Sequence, residues 1–311
     1  MSAPPPQIAV LMTTYNGAEF LPEQLDSLAA QTHENWRLWV SDDGSTDATL
    51  CILRRYQEVW GGNKLLLLAG LGRGFQANFL ELTARPDIGA DFYAWSDQDD
   101  IWLPEKLARA LECLGSLKPD RPALFCGRTI LIDRQGRDLG LSPLMNRRPP
   151  SFANALIQSL AGGNTMVFNQ AARKLIIADR SSSPISHDWW AYQVVTGCGG
   201  EVFYSPEPLV RYRQHGANFY GTNRGLAARW SRLKKLFSGT LKRYMDLNLA
   251  SLQKLSSILT PDNRRSLEIL AAVRCLRNPL GRFSRFRAAG FHRQTSLEQA
   301  AVYLAVLLDQ I

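Results

Sequence analysis

Over the first hundred positions, apolar residues alternate between two patterns. Short continuous runs, "QIAVLMTTY" (7–15), "WRLWVSDD" (36–43), "KLLLLAG" (64–70) and "DFYAWSD" (91–97), predict buried strands. Between them apolar residues recur at helical spacing, as at Phe20, Leu21, Leu25 and Leu28. "STDATLCILRRY" (45–56) predicts a second helix, opened by a capping Ser or Thr with Asp47 in the first turn, where the helix dipole favours negative charge. "LGRG" leads into a third helix near Phe75–Ala84, and Pro104 starts a fourth in "PEKLARALECL". This order predicts βαβ units and a mainly parallel central sheet flanked by helices. Ligands of such sheets bind beyond the C-terminal strand ends, where "SDDGSTD" and "SDQDD" both lie.

The middle of the chain is more broken. "RPPSFANALIQS" predicts a loop entering a helix, "GGNTMVFN" (162–169) a strand, "HDWWAYQVV" a short helix, and "EVFYSPEPLVRYRQHG" strand material ending in a basic loop. Beyond residue 224 the spacing is helical almost throughout: Leu226, Trp230, Leu233, Leu236 and Phe237, then Leu241, Tyr244, Leu247 and Leu252. Charge divides the chain at the same place. Residues 1–223 hold 20 Lys+Arg against 23 Asp+Glu, and residues 224–311 hold 16 against 5, so the net +8 belongs to the tail. The expected organisation is a catalytic domain over 1–223 and a basic helical subdomain over 224–311.

Five scattered cysteines without a CxxC pair indicate neither a disulfide framework nor a zinc site. "MSAPPPQ" lacks the basic start and apolar run of a signal peptide, and no stretch nears the roughly 20 apolar residues of a membrane span, so a cytoplasmic location is expected.

Chemistry concentrates in "WSDQDDIW" (95–102). Asp97, Asp99 and Asp100 repel one another on one tight turn, and a cation would make the arrangement favourable. Oxygen ligands suit Mg²⁺ or Mn²⁺, which take their remaining ligands from phosphates and water. "VSDDGSTD" (40–47) offers a carboxylate to a nucleobase imide or a ribose hydroxyl, and equally makes a good turn and helix cap.

"TTYNG", "VSDDGSTD", "SDQDDIW" and "HDWW" follow one another in the order found in inverting nucleotide-sugar glycosyltransferases of family 2, and residues 7 to about 220 resemble that family. The resemblance implies the glycosyltransferase A-type fold, with a C-terminal helical extension. "DQDDIW", "DWW" and the "YRQHG" loop further resemble bacterial rhamnosyltransferases that build surface polysaccharides, which implies dTDP-rhamnose as donor, with a UDP-hexose or UDP-N-acetylhexosamine as the alternative. The acceptor it implies is a glycan or a lipid-linked glycan.

Carried onto these positions, the resemblance gives Thr14, Tyr15 and Asn16 a place beside the nucleotide. It gives Asp42 the base, with Asp43 a near alternative toward the ribose, and sets Asp97 toward the ribose or metal. Asp99 is the expected ligand of the cation, although the extra carboxylate Asp100 leaves the choice within that pair open. Inverting transfer needs a carboxylate to take the acceptor hydroxyl's proton, and Asp188 is the candidate. The family has an acidic residue before that base; here His187 stands there, to hold the carboxylate or only to pack. Gly163, Asn164, Trp189 and Trp190 are acceptor-site candidates, the tryptophans equally fitting the core. Arg211 and Arg213 are candidates to neutralise the leaving diphosphate, and His215 to add a metal ligand; ordinary surface charge is the alternative.

Two other functions remain open. A nucleotidyltransferase also uses Asp-rich metal sites, but usually with a Gly/Arg/Lys-rich loop after the first strand, where "TTYNGAEF" has no cation. A non-catalytic nucleotide-sugar-binding protein would not need acids at both strand ends together with Asp188. The basic tail suits an anionic membrane surface or an amphipathic subdomain packed on the catalytic domain. Nucleic acid is not an expected partner, since no base-reading module accompanies the charge.

Overall fold

The computed structural model describes residues 4–181, 184–215 and 239–311. The first half alternates strand and helix as the apolar pattern predicts: β1 (Ile8–Thr14), α1 (Leu21–Ala29), β2 (Trp36–Asp42), α2 (Thr49–Trp60), β3 (Leu65–Ala69), α3 (Phe75–Ala84) and β4 (Phe92–Ser96). Every residue of β1 is buried. That is what a continuous apolar run in a sheet covered on both faces requires. The second helix starts later than its sequence suggests: its N-cap is Ala48, without a side-chain cap, and Asp47 turns the chain just before it, Oδ1 accepting from Thr49 N at 2.9 Å and from Thr49 Oγ1 at 2.5 Å.

After β4 come β5 (Ile101–Trp102), α4 (Lys106–Leu114), β6 (Ala123–Ile132), β7 (Asp138–Leu141), α5 (Phe152–Ala155), β8 (Val167–Asn169), α6 (Gln170–Ile176), α7 (His187–Gly197) and β9 (Glu201–Arg213). Nine strands form one sheet in the order β3-β2-β1-β4-β8-β6-β9-β5, with β7 paired to β6. β1, β2, β3 and β4 pair in parallel, as do β6 and β9, while β8 is antiparallel to both β4 and β6. "GGNTMVFN" yields only the short β8, because Gly163–Thr165 winds into a 3-10 turn in which Thr165 Oγ1 donates to Gly162 O at 2.8 Å. β5 pairs antiparallel with β9, Ile101 opposite Arg211 and Trp102 opposite Val210. The acidic turn is therefore stitched to the sheet on both sides.

Four helices end the chain: α8 (Thr240–Lys254), α9 (Pro261–Cys275), α10 (Pro279–Ala288) and α11 (Ser296–Leu307). Leu241, Met245, Leu249 and Leu252 of α8 share one buried cluster with Trp190, Tyr192 and Val194 of α7 and with Phe286 and Val302. The apolar stripe of these helices thus packs on the α/β body, with Leu247 turned outward. The helical pattern from Leu226 to Phe237 lies outside the described residues. No described helix is long and apolar enough to cross a membrane, and all five cysteines are free.

Candidate active site

Parallel register sets Thr14 at the end of β1 opposite Asp42 at the end of β2. Thr14 Oγ1 donates to Asp42 Oδ2 at 2.8 Å, Ser45 Oγ donates to the same oxygen at 2.6 Å, and Oδ1 accepts from the Ser45 and Gly44 amides at 2.8 and 3.2 Å. Asp42 is buried and organises its own loop. Asp43 reaches the next strand end, accepting from Gly72 N at 2.7 Å and Gly74 N at 2.8 Å. Asn16, at φ 47°, accepts from Thr46 N through its side chain at 2.8 Å, closing the first loop onto the second.

The acidic turn between β4 and β5 is fixed from four directions. Gln98 exchanges two hydrogen bonds with the Tyr15 backbone, at 2.9 and 3.0 Å. The Gln98 side chain fills the space where a Cβ on Gly17 would lie, within 2.1 Å of Oε1. Asp100, with no exposed surface, accepts from Asn164 Nδ2 at 2.5 Å and from Arg213 N at 3.1 Å. Arg213 Nε donates to Asp99 O at 2.9 Å, and its guanidinium also bonds Arg134 O and Glu23. Buried Lys106 donates to Asn164 O at 2.7 Å and lies 3.0 Å from the centre of the Trp102 ring. From α1, Ser27 Oγ accepts from Trp102 N at 3.0 Å, and just beyond the helix Gln31 Nε2 donates to Leu103 O at 2.8 Å.

These elements wall one cavity of about 1070 Å³. Thr14, Tyr15, Asp43, Asp97, Asp99, Gly163, Asn164, Asp188, Trp189 and His215 line it, so most of the candidates from sequence meet there. Asn16, Asp42, Trp190, Arg211 and Arg213 do not. Trp190 sits in the core, its Nε1 donating to Ile176 O, and Trp189 Nε1 donates to Ala155 O while its ring reaches the cavity. Arg211 pairs with Asp138 at 2.7 Å, and the Arg213 side chain is 1% exposed. The tandem arginines are therefore spent on the scaffold.

Asp188 enters the cavity from the first turn of α7, and its Oδ1 accepts from Trp189 N at 2.7 Å. His215 Nε2 lies 2.7 Å from Asp99 Oδ2, with its ring stacked on Phe20. Asp97, Asp99 and Asp100 each offer one oxygen, all within 4.8 Å of one another. Burial, then the charges of Asp99 and Asp188, push the Asp97 carboxyl up from 3.8 to about 7, with Lys106 acting the other way. Burial likewise raises Asp100 well above its ordinary value. Clustered hard oxygens under this mutual repulsion fit a divalent cation of the Mg²⁺ or Mn²⁺ type.

Sequence patterns did not single out Gln98, Lys106 or Tyr212. Burial and the four neighbouring carboxylates Asp100, Asp97, Asp99 and Asp188 raise the Tyr212 hydroxyl on the cavity wall. One available signal was Gln24 and Ser27, which put polar groups at helical spacing on the buried face of α1, with buried Gln31 just beyond its end. The C-terminal segment also reaches the site: Thr240, Leu241 and Tyr244 of α8, Arg293 between α10 and α11, and Glu298 of α11 line it.

Comparison with known proteins bears on this geometry. The model of the family described as glycosyl transferase family 2 matches residues 9–176, more than half of the chain. A dTDP-rhamnosyl transferase, RfbG of Shigella flexneri, is 28% identical over 231 residues, covering 71% of this chain and 78% of that protein. An uncharacterised glycosyltransferase of Rickettsia typhi is 26% identical over 247 residues, 76% of this chain and 72% of its own. Among solved structures, residues 1–349 of S. aureus TarS with UDP-GlcNAc align at TM-score 0.54 and 12% identity, over 98% of this chain and 90% of that one. The mannosyltransferase PcManGT from Pyrobaculum calidifontis, with GDP-Man and Mn²⁺, aligns at 0.52 and 16%, over 98% and 86%. At such identities the structural likeness establishes the fold, which is the glycosyltransferase A type.

The raised Asp97 carboxyl makes stability depend on pH. Between 3.8 and about 7 the folded chain binds more protons at this group than the unfolded chain, so its contribution to stability falls as pH rises through that window. In chelator, Tm should decline across it, and the Asp97→Asn variant should decline less. Mn²⁺ should raise Tm more at about pH 7.5 than at about pH 5, because a cation relieves charges present only at the higher pH. Thermal scans showing an equal or larger Mn²⁺ shift at the lower pH would contradict this reading of the cluster.

Proposed function

The chain belongs to glycosyl transferase family 2, and on that premise we propose that it is a metal-dependent inverting transferase moving L-rhamnose from dTDP-rhamnose onto a growing cell-surface polysaccharide or a lipid-linked acceptor. The observation that carries the reading is the meeting in one cavity of Asp97 and Asp99, beyond a strand end, with Asp188 from the first turn of α7. The similarity to a dTDP-rhamnosyl transferase supports rhamnose as the sugar. A UDP-hexose or UDP-N-acetylhexosamine donor is the second reading, favoured by the fold shared with a structure that holds UDP-GlcNAc.

In this mechanism Asp99, oriented by His215, and Asp97 would hold the cation, while Asp100, enclosed by Asn164 and the Arg213 amide, holds the turn. When bound, a divalent cation neutralises a donor's diphosphate and stabilises the charge left on it. Thr14, Tyr15 and Asp43 line the nucleotide side, with Asp42 fixing their loops. Asp188 takes the proton of the acceptor hydroxyl as that oxygen attacks the anomeric carbon opposite the departing diphosphate. Gly163, Asn164 and Trp189 border the acceptor.

The protein acts in the cytoplasm, peripherally on the inner face of the membrane, where a lipid-linked acceptor would lie. Arg277, Leu280, Arg285 and Arg287 are exposed on and beside α10, pairing basic charge with an apolar side chain.

Two outcomes are expected. Asp188→Asn should keep donor affinity within about threefold while transfer falls about 10²–10⁴-fold, the range of a lost general base; stopped assays of transfer beside calorimetry of donor binding separate the two effects. Transfer at the wild-type rate would rule Asp188 out. Reversing Arg277, Arg285 and Arg287 to Glu should release the protein from phosphatidylglycerol vesicles in a sedimentation assay without changing its Tm. Unchanged sedimentation would contradict the membrane contact.

A further inference from the structure

His187 is the buried titratable side chain on the cavity wall that the mechanism above leaves without a task. It opens α7, is 5% exposed, and neither ring nitrogen has a hydrogen-bond partner among the described residues. Its ring is held by aromatic neighbours: stacked on Phe79 at 4.3 Å, and edge-on to Trp95 at 4.7 Å and Phe75 at 6.1 Å. On the remaining side stands Gly163, where a Cβ would come within 2.4 Å of Nε2. No side chain at position 163 therefore covers that nitrogen, and His187 lines the cavity together with Asp97, Asn164 and Asp188.

A buried imidazole with two unmet hydrogen-bonding atoms is unfavourable unless a ligand meets one of them. Burial holds the ring's pKa down at about 4, so the imidazole is neutral near pH 7, offering one N–H donor and one acceptor. A neutral ring in an aromatic enclosure suits an uncharged hydroxyl, which both donates and accepts and so matches either tautomer. Phosphate oxygens would call for a cation instead. The location narrows the ligand further. Phe75 and Phe79 belong to α3, which follows the Gly72–Gly74 loop held by Asp43, and Trp95 lies two residues before Asp97. His187 therefore sits where the donor's loops meet Asp188 and Gly163, beside the sugar that passes between them.

We propose that His187 binds the transferred sugar, its imidazole hydrogen-bonding a hydroxyl of the donor's sugar ring. This rests on the glycosyl-transfer reading and adds to it a residue that distinguishes a sugar nucleotide from the bare nucleotide. His187→Phe keeps an aromatic ring and removes both nitrogens. With Mn²⁺ present, calorimetry on this variant should find dTDP-rhamnose bound about tenfold more weakly and free dTDP bound as by the wild type, about 1.4 kcal/mol lost on the sugar alone. Unchanged affinity for dTDP-rhamnose, or equal losses for both probes, would overturn the proposal.

A second measurement uses the wild-type chain and so does not depend on how the variant folds. The ring ¹⁵N resonances of His187 should move on addition of dTDP-rhamnose but not of dTDP, and identical spectra would overturn the proposal. The two readings fail differently. A wild type that binds none of dTDP-rhamnose, UDP-glucose or UDP-GlcNAc removes the glycosyl-transfer reading and this inference with it. A wild type that binds dTDP-rhamnose while the His187 tests come out negative removes the inference alone.

Discussion

Mutual repulsion among three carboxylates on one turn is the constraint on which the site depends. Left to themselves, Asp97, Asp99 and Asp100 would spread apart into water. The fold prevents this by bonding the turn from every side: Gln98 to the Tyr15 backbone, Asp100 to Asn164 and the Arg213 amide, the Asp99 carbonyl to the Arg213 guanidinium, and β5 to β9. Arg213 matters most among these, because its buried side chain also ties in Glu23 and the Arg134 carbonyl and lies over the Phe20 ring. Burial, and after it the charges of Asp99 and Asp188, raise the Asp97 carboxyl to about 7. The chain's own bonds thus hold the turn together, and under the proposed function a cation would relieve its repulsion without having to order it.

The rest of the architecture serves that turn. The parallel strands β1, β2 and β4 end side by side and bring "TTYNG", "SDDGSTD" and "SDQDD" into one place. α7 delivers Asp188, and the C-terminal helices line the cavity while burying their apolar stripe against α7. One set of side chains therefore stabilises the body and shapes the cavity. Leu241 of α8 does both, lying in the shared core and on the cavity wall.

Legibility in the sequence followed the range of the interactions. β1 to β4 and the helices between them were visible because continuous apolar runs and helical spacing are local signals. The meeting of Thr14, Asp97, Asp99 and Asp188 was visible through ordered motifs, each at the end of an element. β5, only two residues long, carries no periodicity of its own and exists because β9 is beside it. The same holds for roles. Asp42 looks like a free carboxylate in sequence, yet four donors surround it; Arg211 and Arg213 look like free cations, yet Asp138, Glu23 and backbone carbonyls engage them. Pairings such as Thr14 with Asp42, Arg211 with Asp138 and Arg213 with Glu23, between 28 and 190 positions apart, leave no local trace. The polar residues Gln24 and Ser27 on the otherwise apolar face of α1 were the sign that such pairings existed.

The central claim is that the acidic turn is a preformed cation site in which Asp99 faces the ion and Asp100 holds the frame. Electron paramagnetic resonance of Mn²⁺ titrated into the protein with dTDP tests this directly. Bound Mn²⁺ should disappear in Asp99→Asn while its circular dichroism and Tm stay near those of the wild type, and Asp100→Asn should lower Tm first. Undiminished Mn²⁺ binding by Asp99→Asn would contradict the account.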